Sequence, residues 1–282
     1  VGIPYSISNP IMYINADLFK EAGLNPDTPP KTWKEVAEVA MIIKMKTGNP
    51  GFFMQEYADN WAQQALLEGN GGQMLKVENG ITIPTFSSKE SAEAYQLTAD
   101  MVKNKSAIHA SNDEGFQTFL NGKLGMVVTT IGKRENFESS AKFDLRGAKF
   151  PLFDGKERKL PAGGNMLMIM AKSPEEQKAA WRFMKFLLSA DSTEKWTKGT
   201  GYLPPTIVEK GTGIDKFLTE NKLMSVAASQ MPDMGQWASF SGSNGLKAEQ
   251  ILIDARDIIL SGEKPADKAL EDAQNEIIKL MK

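Results

Sequence analysis

The 282 residues contain no cysteine and a single histidine, His109. The first absence excludes a disulfide framework, a thiolate metal site and a cysteine nucleophile. The second excludes a multi-histidine metal site and a catalytic pair of histidines. His109 sits in the polar segment Ala107-Ile108-His109-Ala110-Ser111-Asn112 and reads as a solvent-exposed loop residue. Charge of one sign is also missing. The formal net charge is -2 and no basic block appears, so no nucleic-acid partner is expected. No apolar run reaches the length of a membrane span. No signal peptide is visible, the first residue is Val1, and strand-like sequence begins at once, so the chain reads as a processed or truncated product.

What is present is ordinary for a soluble globular chain. Hydrophobic residues make up 41% and charged residues 24%, and the length suits one large or two ordinary domains. Two apolar strand-like runs open the chain, separated by Ser6-Ile7-Ser8-Asn9, and Pro10 is expected to end the first pairing. A short helix over 17–22 stops at Gly23, and Thr32 with Glu35 forms a capping box for a helix over 32–46. A strand over 51–54 leads to a helix from Asn60 to Leu67. Asn79-Gly80 signals a hairpin, and Ser88 caps a helix through Val102. A helix over 114–120, a buried strand over 124–130 and a helix over 134–139 follow. Residues 143–153 read as a strand and connector, and 166–171 as another apolar strand. Ser173-Pro174-Glu175-Glu176 starts a helix, a shorter one covers 192–198, and long helices cover 245–260 and 266–281.

Several of these stretches carry a resemblance. Pro4-Tyr5-Ser6, Tyr13-Ile14-Asn15, Asp17-Leu18-Phe19, Glu21-Ala22-Gly23-Leu24 and Pro29-Pro30-Lys31-Thr32-Trp33 occur in order at the start. Phe119, Asn121-Gly122-Lys123 and Met126 precede the buried strand, and Gly163-Gly164, Ser173-Pro174, Trp196 and Gly201-Tyr202-Leu203-Pro204 come later. Together they resemble the extracellular solute-binding proteins of sugar ABC transporters, typified by maltose-binding and glycerol-3-phosphate-binding proteins. The resemblance covers essentially the whole chain. It implies an α/β, periplasmic-binding-protein-like fold with three hinge crossings between two lobes. It further implies that residues 1–8 are the first crossing and 9–162 the first part of a largely complete C-terminal lobe. Residues 163–207 would be a helical remnant of the N-terminal lobe, and 208–282 the rest of the C-terminal lobe. Most of the first lobe would then lie outside this sequence. The apolar residues of 163–205, among them Trp181, Phe183 and Phe186, would be covered by a second chain, exchanged between copies or poorly ordered. A helix packed on its own C-terminal lobe would contradict that expectation.

Sugar binding needs aromatic faces for the ring and amides, carboxylates or hydroxyls for its OH groups, placed on loops beyond strand ends. Tyr57, Asn60 and Trp61 follow the 51–54 strand; Trp61 either stacks on a ring or packs into its own lobe. Thr129, Thr130 and Gly132 follow the 124–130 strand, with Arg134 close by. The resemblance puts Ser6 and Ser8 at the first crossing, Gly163, Gly164 and Asn165 at the second, and Tyr202 at the third. Trp237, Phe240 and Asn244 lie in an aromatic and polar loop before the 245–260 helix. In glycerol-3-phosphate binders a basic residue near the start of the penultimate helix helps hold the phosphate. The nearest position here is Glu249, with Lys247 two residues earlier, which favours a neutral sugar.

Catalysis finds little support. The 35 acidic residues fall mostly on polar helix faces, and no pair stands out as a glycosidase acid and nucleophile. There is no phosphate-binding loop, and Gly199-Thr200-Gly201 does not link a strand to a helix as a dinucleotide fingerprint would. The expectation is therefore a non-enzymatic, cofactor-free importer component. It would bind a neutral sugar between hinged lobes and deliver it to a membrane permease, in a periplasm or anchored at an outer surface. A polyol-phosphate ligand, a carbohydrate-active hydrolase and a lobe fragment without affinity of its own remain the alternatives, and self-association through 163–205 is a further expectation.

Overall fold

The computed structural model describes residues 2–56, 59–240 and 242–281. Strand β1 (Ile3–Ser8) and strand β2 (Pro10–Asn15) run on from one another, with only Asn9 between them. Pro10 therefore begins a strand as well as ending one. It needs no donor where it stands, because the register of β2 lets neighbouring residues carry the ladder. Helix α1 (Ala16–Glu21) follows, capped by Asn15, whose side chain accepts from Leu18 N–H at 3.1 Å. Helix α2 (Trp33–Thr47) has the expected capping box: Thr32 accepts from Glu35 N–H and Glu35 accepts from Thr32 N–H.

Next come β3 (Phe52–Met54), α3 (Trp61–Gly69), the hairpin β4 (Leu75–Glu78) and β5 (Ile81–Pro84), α4 (Lys89–Lys103), α5 (Asn112–Leu120) and β6 (Met126–Thr130). In the hairpin Asn79 and Gly80 have φ of 51° and 78°, the left-handed pair that a two-residue turn matched to strand twist requires. Helix α6 (Arg134–Ser140) and strand β7 (Leu145–Lys149) complete the first half.

Strand β2 is the organising strand. It pairs antiparallel with β6 on one side and β7 on the other, and β3 joins β6 in parallel, giving the order β3-β6-β2-β7. Every residue of β2 is buried, which is the pattern of a strand covered on both faces. Met12 and Ile14 face one core, with Trp33, Val36, Ile43, Ala62 and Leu66 from the helices. Ile11 and Tyr13 face the other, with Phe116, Phe119 and Phe137. Trp33 meets Phe52 and Phe150 edge-on, with ring centroids 5.8 and 5.3 Å apart. A third cluster lies outside the first, where α4 packs on the two last helices and the last of these reaches β5.

The second half brings β8 (Leu160–Pro161), β9 (Gly163–Leu167), α7 (Pro174–Leu187), α8 (Ala190–Thr200), α9 (Gly213–Glu220), α10 (Lys222–Ala228), β10 (Met234–Gly235), α11 (Gly245–Leu260) and α12 (Ala266–Leu280). The strand read over 166–171 actually occupies Gly163–Leu167. It begins earlier because its backbone pairs with β1, and the methionines beyond are not buried: Met168 and Met170 are 57% and 81% exposed. Helices α9 and α10 close the second core.

Helix α7 does not lay its apolar face on the main body. Met184 is buried, yet Phe183 and Phe186 are each 61% exposed and Trp181 is 43% exposed. With Met166, Met168 and Met170 they leave an unusual amount of large apolar side chain in the open. Among the described residues no helix is long and apolar enough to cross a membrane.

Candidate functional site

Three segments far apart in sequence meet where β1 leaves the sheet. Strand β9 pairs antiparallel with β1 from Ser8 and Gly163 to Ile3 and Leu167. On the other edge Ile7 and Leu203 exchange both backbone hydrogen bonds, at 3.0 and 2.7 Å. Chain segments near residues 7, 164 and 203 thus lie side by side. Asn9 fixes this point to the sheet domain: its Nδ2 donates to Ala227 O at 2.8 Å and its carbonyl accepts from Ile131 N–H.

The pairing depends on Gly164. Its φ is +126°, and a Cβ there would stand 2.0 Å from Ser6 O. Ser6 is buried, and its hydroxyl accepts from Asn165 Nδ2 at 3.0 Å. Ser8 is also buried and lies against Gly163 beside the Trp61 ring, which a side chain at 163 would displace. Trp61 itself is only 4% exposed and donates from Nε1 to Pro161 O at 2.9 Å. Its face is engaged in the first core, so it braces the crossing from below.

A second group gathers at the end of β6. Thr130 caps the next turn, accepting from Gly132 N–H at 3.1 Å. The open space above Gly132 is taken by the Tyr202 ring, whose Cζ lies 3.1 Å from where a Cβ would stand. Tyr202 stacks on Trp196 at 6.5 Å and 19°, and Trp196 meets Tyr5 at 4.9 Å. Burial raises the Tyr5 phenol above its usual range, so it is a neutral hydroxyl. Trp196 Nε1 is buried without a partner. Tyr5 and Trp196 were missed as candidates in the sequence. No local pattern carried the signal: the register of β1 shifts between Pro4 and Ser6, at Tyr5, and Trp196 lies far along the chain on α8.

Other predicted residues are committed elsewhere. Thr129 is fully buried, and its hydroxyl donates to Gln55 Oε1 at 2.5 Å. Arg134 is buried: it pairs with Glu138 at 2.6 Å, donates to Lys198 O and lies over the Phe217 ring. Phe240 is 8% exposed and belongs to the third core. Asn244 turns its amide to Leu280 O at 2.9 Å, closing the end of α12. Trp237 stays 39% exposed on a loop anchored by Gln64, which accepts from Ala238 N–H and donates to Gln236 O. Ala162 N–H donates to Gly235 O at 2.8 Å, which holds that loop beside the start of β9. Tyr57 lies outside the described residues.

The start of α3 is electrostatically filled. Asp59 accepts from Trp61 N–H at 3.1 Å, and Glu249 accepts from Asn60 N–H and Asn60 Nδ2 at 2.9 and 3.0 Å. Two carboxylates thus take the backbone donors that an anion would otherwise use. Burial raises the Asp59 carboxyl above its usual range, with the Trp61 hydrogen bond opposing it. Asn60 is 1% exposed, so its amide serves this junction.

With that geometry in place, known proteins can be set beside it. The chain is 28% identical over 291 aligned residues to the sn-glycerol-3-phosphate-binding periplasmic protein UgpB of Pectobacterium atrosepticum. The alignment covers 96% of this chain and 64% of that protein, so the chain spans about two thirds of the length of such relatives. Among solved structures, the cyclic alpha-maltosyl-1,6-maltose binding protein of Arthrobacter globiformis superposes with a TM-score of 0.85 at 25% identity, over 100% of this chain and 72% of that one. UgpB from Mycobacterium tuberculosis, in complex with glycerophosphocholine, gives 0.84 at 23% identity, over 99% and 70%. Both share the periplasmic-binding-protein-like α/β fold. The bacterial extracellular solute-binding protein family matches residues 1–209, and the chain belongs to that family.

Proposed function

We propose that this chain is part of the substrate-binding component of an ABC importer. It holds a neutral sugar or oligosaccharide between two hinged lobes and presents it to a membrane permease, in a periplasm or at an extracellular surface. The single observation that carries the reading is the side-by-side crossing of residues 3–8, 163–167 and 202–203 beneath an aromatic group, Tyr202 with Trp196 and Tyr5. Under this reading 1–8 is the first crossing, 9–162 and 208–282 form one lobe, and 163–207 belongs to the other. The exposed apolar set of β9 and α7 is then lobe interior in the working protein. Tyr202, Thr130, Gly132, Asn165 and Trp237 face the sugar, and Ser6, Ser8, Gly163, Gly164 and Trp61 shape the hinge. Ligand contact with both lobes shifts an open–closed equilibrium toward the closed form.

A second reading has a specific observation in its favour. Relatives are named for sn-glycerol-3-phosphate, and one solved relative holds glycerophosphocholine. Against a phosphate ligand stand Asp59 and Glu249, which place negative charge on the α3 terminus. A thermal-shift panel of neutral mono- and oligosaccharides beside sn-glycerol-3-phosphate separates the two. The proposal expects stabilisation by at least one neutral sugar and none by the phosphate ester. Chromatography of the same mixtures should show the sugar unchanged; released product would establish a hydrolase instead.

A further inference from the structure

Away from the crossings, three side chains of metal-ligand type converge from three elements. Glu56 follows β3, His109 lies in the loop before α5, and Asp257 stands on α11. One potential ligand atom of each lies within 4.8 Å of the other two. The backbone explains the meeting. Ala107 bridges Phe52 in parallel and Ile108 N–H donates to Phe52 O at 3.1 Å, so residues 107–109 run alongside β3. That brings His109 Nδ1 to 2.6 Å from Glu56 Oε2. Asn112 Oδ1 accepts from Glu56 N–H at 2.9 Å and fixes the other end of the loop. Asp257 is held by Arg256 Nε at 2.8 Å, and Arg256 is only 4% exposed.

Glu56 also borders a small cavity. A cavity of about 20 Å³ is lined by Glu56, Gln63, Tyr95 and Arg256 among apolar neighbours, room for one water molecule. Gln63 and Tyr95 are 3% and 1% exposed, and Gln63 Oε1 and the Tyr95 hydroxyl have no protein partner. A water there would meet Glu56 and the two orphaned polar atoms, on a side that neither His109 nor Asp257 lines.

We propose that Glu56, His109 and Asp257 bind a divalent first-row transition cation of the zinc type, with solvent water completing its shell. One imidazole nitrogen and two carboxylate oxygens suit such a cation better than calcium or magnesium, which take oxygen ligands. Arg256 offsets one of the two carboxylate charges, which leaves one net negative charge to meet the metal. Bonds near 2.0–2.1 Å to a tetrahedral ion put ligand atoms roughly 3.3 Å apart. Glu56 and His109 then separate slightly and Asp257 closes in, movements of rotamer size. The imidazole binds as its neutral form, and the proton between it and Glu56 leaves to solvent. The site does not depend on the ligand of the cleft.

The test is calorimetric titration of the chelator-treated full chain with zinc chloride in a non-coordinating buffer near pH 7. One zinc per chain is expected. His109→Ala and Asp257→Asn should each weaken it by about tenfold or more, while Glu175→Gln on the exposed start of α7 should not. Cobalt in place of zinc should give a visible absorption band that His109→Ala removes. Absence of stoichiometric binding, or a one-to-one site undiminished in His109→Ala, would overturn the proposal.

Discussion

At the scale of the residue, Gly164 has the least freedom at the crossings. Any side chain there meets Ser6 O in a backbone conformation that L residues rarely adopt. Gly164→Ala should cost about 3 kcal/mol, read as a lower urea midpoint with unchanged slope. Glu35 makes a different prediction. Its carboxyl is held below the usual range by the Lys31 and Thr32 backbone N–H groups it accepts from. A depressed folded-state pKa gives stability that is present above 4.5 and is lost as the pH falls through the folded value. Glu35→Ala should therefore cost about 0.5 kcal/mol at neutral pH, a small value because the carboxylate is exposed, and progressively less in acid, measured by denaturant unfolding across pH. Individual site residues were only partly legible in the sequence. Composition drew attention to Asn60 and Asn244, but the partners that absorb their amides lie 189 and 36 residues away. No local pattern carries such a partner. Tyr202 came from the family resemblance that Gly201-Tyr202-Leu203-Pro204, a local motif, carries.

At the scale of the element, local chemistry made most of the fold readable. Caps at Thr32, Ser88 and Ser173 and the Asn79-Gly80 turn are decided within a few residues, and the structure has each where the sequence puts it. Helices α9 and α10, of 8 and 7 residues, went unread. Strand β9 was misplaced because its start is set by pairing with β1, not by its own apolar run. The exposed side of α7 yields a prediction. Phe183→Ser with Phe186→Ser should change stability by under about 0.5 kcal/mol, since both rings are already in water. Met184→Ala, one position over and buried, should cost about 2–3 kcal/mol. Sedimentation velocity at rising concentration should show self-association in the parent chain and less in the double variant.

At the scale of the whole molecule, one strand does two jobs. The run from Ile3 to Asn15 pairs with β9 up to Ser8 and joins the central sheet from Pro10 onward. Asn9, tied to Ala227 and Ile131, is the fixed point between them. A motion of the α7–α8 region about that point would move Tyr5, Asn165 and Tyr202 together against Thr130 and Gly132. This coupling is the core of the proposed binding mechanism, and it makes Tyr202 the side chain on which affinity should depend most. The most direct measurement is calorimetric titration of the purified protein and of Tyr202→Ala with the neutral sugar that stabilises the parent most. The account predicts saturable one-to-one binding in the parent and a loss of about tenfold or more in Tyr202→Ala, about 1.4 kcal/mol or greater. Equal affinity in the two proteins, or binding of sn-glycerol-3-phosphate where every neutral sugar fails, would contradict it.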